Sequence, residues 1–320
     1  MMCYLIMVVY FLTQVVENIS GEKDVYTTCG QNVLCTRVHQ DVSSLAPCTH
    51  EEADTRMLLH AVDAANKGYR RIILRTVDTD VLVLAVSTVV QLEDTEIWVA
   101  FGTGKHLRYI PVHDVAQQLG NEKARALPMF HAFTGCDSVS SFAGRGKKTA
   151  FETWKAFSAV TPVFSALFTD PTTFNDEHMS VLETYVVLMY DRTCTETTVD
   201  SARKHIFTTK ARSIDAIPPT GAALLQHTKR AIYQGGHVWG QALIRSPVVP
   251  SPETCGWQKS ATQGWQPLWT TLPEAVASCS ELLRCGCLKG CRGLCKCVRA
   301  ALKCTSLCRC SGDCDHNTCN

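Results

Sequence analysis

The stretch Arg71-Ile-Ile-Leu-Arg-Thr-Val77, followed at once by Asp78-Thr79-Asp80, decides the fold of this 320-residue chain. A short apolar run that ends at turn-forming aspartates is typical of a buried strand. Upstream of it, apolar residues recur at helical spacing from Met57 to Ala65, and Gly68 supplies a stop signal. The sequence therefore predicts a helix that leads into a buried strand.

Downstream of the two aspartates, helical and extended patterns alternate. Val81–Val90 predicts a short helix, Glu96–Phe101 a second strand, and Leu107–Pro111 a hairpin partner for that strand. Further helices are expected at 112–119 and 124–133. This alternation predicts an α/β domain built around a mainly parallel sheet with flanking helices.

Four segments differ in sequence character. Residues 1–50 form an N-terminal segment that is polar and irregular over 17–47. Residues 51–210 form the α/β domain with a helical extension. Residues 211–278 are rich in Pro and Trp and predict an irregular linker, and residues 279–320 form a small cysteine-rich module. A hydrophobic content of 46% and a net charge of +1 exclude a disordered tail and a supercharged nucleic-acid coat.

The first twelve residues are largely apolar but do not fit a targeting segment. A membrane span needs about 20 apolar residues, and Met1-Met2-Cys3-Tyr4 lacks the positive charge that opens a secretory signal. We expect a buried strand or helix near the start of a domain whose beginning is incomplete here, and no membrane partner. A reducing compartment follows, in which dense cysteines bind metal more often than they form disulfides.

Acidic residues gather around the predicted edge of the sheet. Asp78 and Asp80 follow the buried strand, Glu52 and Asp54 open the preceding helix, and Asp137 lies in a loop after a later helix. Singly, each is equally suited to a helix cap or a turn. Converging carboxylates repel one another unless a hard cation neutralises them, and oxygen ligands favour Mg²⁺ or Mn²⁺.

Residues 51–150 resemble the flap-endonuclease branch of the PIN-like 5′ nucleases. The resemblance rests on the order of short motifs at 52–54, 78–80, 135–137 and 144–150. It implies that the five carboxylates hold divalent metal ions that activate water against a phosphodiester. It also implies that a glycine-rich turn binds a DNA backbone, through Gly144, Arg145, Gly146, Lys147 and Lys148.

The family carries two further metal-binding aspartates on an N-terminal strand and loop. Here Asp24 and Asp41 lie in polar stretches instead of after strands. We therefore expect a half-built metal site with weak or no phosphodiesterase activity. Either the sequence is truncated at its N-terminus or the domain persists as a binder.

Nine cysteines crowd into residues 285–314, a segment with too little apolar material for a core of its own. Metal binding would supply the missing folding free energy. About three tetrahedral zinc ions need about twelve thiolate bonds, which nine cysteines supply if three of them bridge. The disulfide alternative needs an oxidising compartment and leaves one cysteine unpaired. The predicted ligands are Cys285, Cys287, Cys291, Cys295, Cys297, Cys304, Cys308, Cys310 and Cys314.

The same segment resembles the tesmin-like CXC domain, a nuclear zinc-cluster module that binds DNA and chromatin. Both halves, 285–297 and 304–314, carry a Cys-x₃-Cys-x-Cys core. Two spacings depart from the family pattern, and Leu294 stands where the family has a DNA-inserting tyrosine. The resemblance therefore implies zinc binding and contact with phosphates, without sequence-specific reading. The basic residues available for that contact are Lys289, Arg292, Lys296, Arg299, Lys303 and Arg309.

Taken together, the sequence predicts a zinc-binding, DNA-associated nuclear protein with an incomplete metal-dependent 5′ nuclease-like domain. An origin in a mobile element is an inference by analogy. Protein partners stay open, and no small-molecule cofactor is evident. The alternative is a non-catalytic, zinc-dependent scaffold for protein interactions. Binding of Mg²⁺ at Asp78, Asp80 and Asp137 would separate the two.

Overall fold

The computed structural model describes residues 24–36, 41–210, 216–260, 264–270, 285–288, 291, 295–299, 303–304 and 308–310. The chain divides into two compact units. Unit 1 combines residues 1–128 with 236–250, and unit 2 combines residues 129–235 with 251–320. These units follow spatial contacts, whereas the four segments named above follow sequence character, so the segments stay a prediction.

Unit 1 is an α/β structure. Its elements are β1 (Tyr26–Cys29), β2 (Asn32–Cys35), α1 (Ala53–Asn66), β3 (Arg71–Thr76), α2 (Thr79–Val89), β4 (Glu96–Phe101), β5 (Arg108–Pro111), α3 (Val112–Leu119) and the first part of α4 (Asn121–Phe133), with short 3₁₀ turns at Gly104–His106 and Trp239–Gln241. The α/β class and the helices and strands expected between residues 53 and 133 are confirmed.

The sheet of unit 1 is mixed. Strands β3 and β4 are parallel, with Arg71 opposite Glu96, and β4 and β5 are antiparallel, with Phe101 opposite Arg108. Only six residues separate Phe101 from Arg108, which is too short for the crossover that a parallel pair requires. The predicted hairpin is thus confirmed, while in the described part of the chain a mainly parallel sheet is not.

Strand β3 is half buried instead of fully buried. Ile72 and Leu74 are buried and pair with the buried Ile97 and Val99 of β4, whereas Ile73 on the opposite face is 58% exposed. An apolar run predicts burial, but it does not reveal whether a second layer covers the other face.

Unit 2 is mostly helical. Its helices are the end of α4, α5 (Lys147–Ala156), α6 (Val160–Thr169), α7 (Asp176–Tyr190), α8 (Val199–Lys210), α9 (Gly221–Ile232) and the short α10 (Lys296–Arg299). It also contains 3₁₀ turns at Pro171–Thr173 and Pro252–Cys255, and a π-helix, Tyr233–Val238, begins within it directly after α9. Aromatic rings fill its core. Phe130 stacks on Trp154 with ring centroids 4.7 Å apart, and the ring centroids of Phe133 and Phe164 are 5.7 Å apart. None of the described helices in either unit is long and apolar enough to cross a membrane.

Two stretches predicted to be irregular contain regular structure. Inside the predicted linker 211–278, α9 begins at the N-cap Thr220, whose hydroxyl accepts a hydrogen bond from Ala223 N, and strands β6 (Trp257–Ser260) and β7 (Gly264–Pro267) form a hairpin. Inside 17–47, β1 and β2 form another hairpin. The prolines around α9 led to the prediction of an irregular linker, although the twelve residues of α9 itself contain no proline.

Candidate metal centres

The cysteines near the C-terminus come together in unit 2. Eight of the nine predicted ligands are described, and all eight belong to one buried cluster of thiols. Cys314, the ninth, lies outside the described residues. The eight are Cys285, Cys287, Cys291, Cys295, Cys297, Cys304, Cys308 and Cys310.

Cys285 lies at the centre of this thiol cluster. Its Sγ is 3.7 Å from the Sγ atoms of Cys291, Cys304 and Cys310. The Sγ atoms of Cys291 and Cys304 are also 3.7 Å apart. A second contact places Cys297 Sγ 3.5 Å from Cys308 Sγ. Four sulfurs so close together are positioned to share a single metal ion.

Three overlapping groups of four cysteines have ligand atoms within 4.8 Å of one another, and Cys285 belongs to all of them. Cys291, Cys295 and Cys304 each belong to two. Sulfurs shared between groups are what a cluster with bridging thiolates requires. The groups are Cys285, Cys295, Cys297 and Cys304; Cys285, Cys287, Cys291 and Cys295; and Cys285, Cys291, Cys304 and Cys310.

Without a cation, burial keeps three of these thiols protonated. Burial raises the pKa of Cys285 to about 12 and that of Cys297 to about 11, and it also raises the pKa of Cys304. Burial acts in the same direction on Cys295, but hydrogen bonds from the main chain of Val298 and Cys297 oppose it and lower its pKa to about 7. A metal ion would reverse this balance because it binds the thiolate form.

One large apolar side chain from elsewhere in unit 2 packs into the thiol cluster. Phe207 of α8 is 2% exposed and belongs to the same buried cluster as the cysteines. The main chain adds two links, since Arg309 N donates to the Cys285 carbonyl at 3.1 Å and Cys285 N donates to Cys308 Sγ at 3.4 Å. The sequence gives no signal for the role of Phe207, because its helix lies some 80 residues before the cysteines.

Three of the five predicted acidic ligands converge in unit 1. Oxygens of Asp54, Asp78 and Asp80 lie within 4.8 Å of one another, and we call these residues the carboxylate group. Asp54 comes from the first turn of α1. Asp78 caps α2 by accepting a hydrogen bond from Asp80 N at 2.8 Å. Strand β3 packs against α1 and leads directly into the start of α2, so it brings Asp78 and Asp80 close to Asp54.

Glu52 and Asp137 are placed differently. Glu52 accepts a hydrogen bond from the indole Nε1 of Trp239 at 3.3 Å, and it is not part of the carboxylate group. Asp137 is exposed in unit 2, in the turn closed by the bridge between Cys136 and Val139. The sequence alone does not identify Trp239 as a partner of Glu52, because the two residues lie 187 positions apart.

The glycine-rich turn before α5 exposes only some of its predicted DNA contacts. Gly144, Gly146 and Lys148 are exposed. Arg145 instead lies over the ring of Tyr190 at 4.8 Å and donates to the Tyr190 carbonyl at 3.2 Å. Lys147 directs its ammonium group back to the chain, where it donates to Thr134 Oγ1 at 3.0 Å.

No family model, curated protein or solved structure matches this chain. Any inference about its function therefore has to come from the chemistry of its own residues. Those residues offer soft sulfur ligands in unit 2 and hard oxygen ligands in unit 1.

Proposed function

We propose that this chain is a zinc-binding, DNA-associated nuclear protein whose nuclease-like domain has weak or no phosphodiesterase activity. The observation that carries the proposal is the thiol cluster, in which Cys285 has three sulfur neighbours at 3.7 Å. The carboxylate group supplies a second, independent metal site, which we assign to Mg²⁺ or Mn²⁺.

Zinc is the metal that best suits the thiol cluster. Zinc–sulfur bonds of about 2.3 Å in a tetrahedron place the sulfurs about 3.8 Å apart. The observed separations of 3.5 to 3.7 Å are close to that value. Thiolate ligands alone also disfavour Mg²⁺ and Ca²⁺, which prefer oxygen.

Charge on the outside of the thiol cluster supports contact with DNA. Between Cys285 and Cys310 the sequence holds six Lys and Arg residues and no Asp or Glu. The described basic side chains are exposed while the neighbouring cysteines are buried or half-buried. A cationic surface without acidic residues attracts phosphates through counterion release. The exposed basic residues are Lys296, Arg299, Lys303 and Arg309.

The carboxylate group supports a hard-cation site that is incomplete for catalysis. Three carboxylates at this spacing favour binding of Mg²⁺ or Mn²⁺. Phosphodiester hydrolysis by two metal ions needs ligands for both ions, and Glu52 is engaged by Trp239. We therefore propose a domain that binds rather than cleaves.

Zinc content and DNA affinity test the proposal on the full chain, purified under reducing conditions. We expect about three zinc ions per chain, and duplex DNA binding that weakens as salt rises, by up to about 0.9 log units per log unit of salt for each phosphate contact. Lys296→Ala should reduce both affinity and salt slope. Lys259→Ala, an exposed lysine on β6, is the matched control.

Three results would contradict the proposal. One zinc ion or none would remove the metal cluster, and DNA binding unchanged by zinc chelation would separate the cluster from DNA. Mg²⁺-dependent cleavage of a DNA flap that is lost in Asp78→Ala would contradict the expectation of weak or no activity. Zinc binding without DNA binding would favour the protein-interaction scaffold.

A further inference from the structure

One buried member of the thiol cluster cannot bind a metal ion. In the described part of the chain, the buried members of this cluster are five cysteines and Phe207, which is 2% exposed. A phenyl ring has no donor atom for a metal ion. Phe207 therefore lies among sulfur ligands in a role other than coordination.

Helical spacing turns Phe207 away from the other buried side chains of α8. Val199, Ala202 and Ile206 are fully buried, and none of them belongs to the thiol cluster. They recur at positions i, i+3 and i+7, which lie on one side of an α-helix. Phe207 follows Ile206 directly and so points about 100° away from it. Helix α8 thus buries two different surfaces, of which the one at Phe207 meets the cysteines.

The two ends of α8 are held by different parts of unit 2. At its start, Val199 N donates to Glu183 Oε1 of α7 at 3.4 Å. Asp200 Oδ1 accepts a hydrogen bond from Gly221 N of α9 at 3.0 Å. Toward its end, Phe207 packs against the thiol cluster. The start of α8 is therefore joined to other helices, whereas the burial of Phe207 depends on the cysteines.

A buried ring beside a metal–thiolate cluster has a physical effect on both partners. An apolar shell limits the access of water to a metal site and lowers the local dielectric constant, which strengthens the attraction between the metal ion and its thiolates. Conversely, the cysteine segment has too little apolar material to stay folded without metal. The surface that buries Phe207 is therefore lost when the metal leaves.

We infer that Phe207 is a positioning residue of the metal cluster, which shields the thiolates from water and couples metal occupancy to the end of α8. The inference rests on the proposed binding of zinc by these cysteines. It adds that the cysteine module and the helical part of unit 2 stabilise each other. Because such coupling is reciprocal, weakening one partner weakens the other by the same factor.

Release of zinc from the full chain to an excess of a chromogenic chelator tests the shielding. Phe207→Ala should bind the same number of zinc ions but release them about tenfold faster, since loss of a residue that supports a metal site weakens binding by about 10–100-fold. Phe207→Leu keeps an apolar side chain and should recover most of the slow release. Ile206→Ala, which truncates a fully buried side chain of the same helix outside the thiol cluster, is the matched control and should release zinc like the unsubstituted chain.

Hydrogen exchange of the unsubstituted chain, measured with zinc and after chelation, tests the coupling. We expect chelation to speed exchange by about tenfold or more at the main-chain amides of residues 207–210, because local opening follows the loss of packing. The amides of α9 should change by less than about twofold, since no contact with the thiol cluster holds that helix. This measurement needs no substitution, so it decides the coupling even if Phe207→Ala does not fold.

Three results would overturn the inference: equal release rates in Phe207→Ala and the unsubstituted chain, equal acceleration in Phe207→Ala and Ile206→Ala, or equal effects of chelation on α8 and α9. A normal zinc content together with any of these results would overturn the inference alone and leave the proposed function standing. Absence of zinc from the unsubstituted chain would overturn both.

Discussion

Lys147 donates a hydrogen bond from its Nζ to the main-chain oxygen of His131, 2.6 Å away. The same ammonium group donates to Thr134 Oγ1 at 3.0 Å and to the Gly135 carbonyl. All three acceptors lie in or just after the last turn of α4, where main-chain oxygens lack helical partners and a positive charge is favourable. A lysine expected to face DNA thus joins the end of one helix to the start of the next.

Replacing Lys147 with Met should therefore destabilise unit 2. A hydrogen bond from a charged donor contributes about 1.5–3 kcal/mol. Because Lys147 is only half-buried and water can replace part of its contacts, we expect a total loss of about 2 kcal/mol in unfolding free energy by urea titration. Lys148→Met removes the neighbouring exposed lysine and should change stability by less than about 0.5 kcal/mol. Equal effects of the two substitutions would contradict the structural role of Lys147.

Cys285→Ser should lower zinc content more than Cys287→Ser. Cys285 belongs to all three groups of potential ligands, whereas Cys287 belongs to one. Loss of a shared sulfur weakens every site that uses it, and structural zinc is coupled to folding. Elemental analysis of the purified variants measures the difference. Cys136→Ser, which changes a cysteine outside the thiol cluster, should retain the zinc of the unsubstituted chain.

Asp54→Asn should abolish stabilisation of the chain by Mn²⁺, because it removes one of the three carboxylates that would hold the ion. Mn²⁺ should raise the melting temperature of the unsubstituted chain and not that of Asp54→Asn, because bound ligand stabilises the folded state. The measurement is a thermal melt at increasing Mn²⁺ concentration.

Asp137→Asn is the matched control for that experiment, since Asp137 lies in unit 2 and outside the carboxylate group. Its melting curve should respond to Mn²⁺ like that of the unsubstituted chain. A response lost in both variants would show that Mn²⁺ does not act through Asp54, Asp78 and Asp80 alone.

Stability should fall as the pH drops from about 6.5 to about 4, partly because of His227. Burial lowers the pKa of His227 from 6.5 to about 4 in the folded chain. The unfolded chain then binds a proton in this interval and the folded chain does not, so the contribution is fully present above pH 6.5 and is lost as the pH falls through the folded pKa. The loss from this residue amounts to about 3 kcal/mol.

Urea titrations at several pH values, compared between the unsubstituted chain and His227→Gln, measure this contribution. The glutamine amide can still donate to the Phe133 carbonyl but cannot be protonated in this range. The slope of unfolding free energy against pH should be smaller in the variant. Parallel slopes would mean that His227 does not account for the acid sensitivity.

Much of the local structure of unit 1 could be predicted from short stretches of sequence. The apolar spacing from Met57 to Ala65 predicts α1, and the run from Arg71 to Val77 predicts β3, because both patterns repeat over neighbouring residues. The thiol cluster was also predictable, since closely spaced cysteines in a segment without a core need a common partner. In each case the deciding interactions join residues that are near in sequence.

Other features depend on residues that are far apart along the chain. Glu52 and Asp54 both lie at the start of α1 and were equal candidates for the metal site. Only Asp54 meets Asp78 and Asp80, whereas Glu52 accepts a hydrogen bond from the indole Nε1 of Trp239. No local pattern distinguishes two carboxylates on the same turn when the distinguishing contact comes from residue 239.

The sequence by itself determined the α/β class, the presence and approximate positions of β3 and α2, and the gathering of cysteines after Cys285, since periodicity and spacing are local properties. Tertiary structure alone decided which carboxylates converge, that one face of β3 stays open, that Lys147 binds main-chain oxygens, and that Phe207 packs into the thiol cluster. These outcomes require the packing of distant segments, and the free energy of such packing is not encoded in any single stretch of the chain.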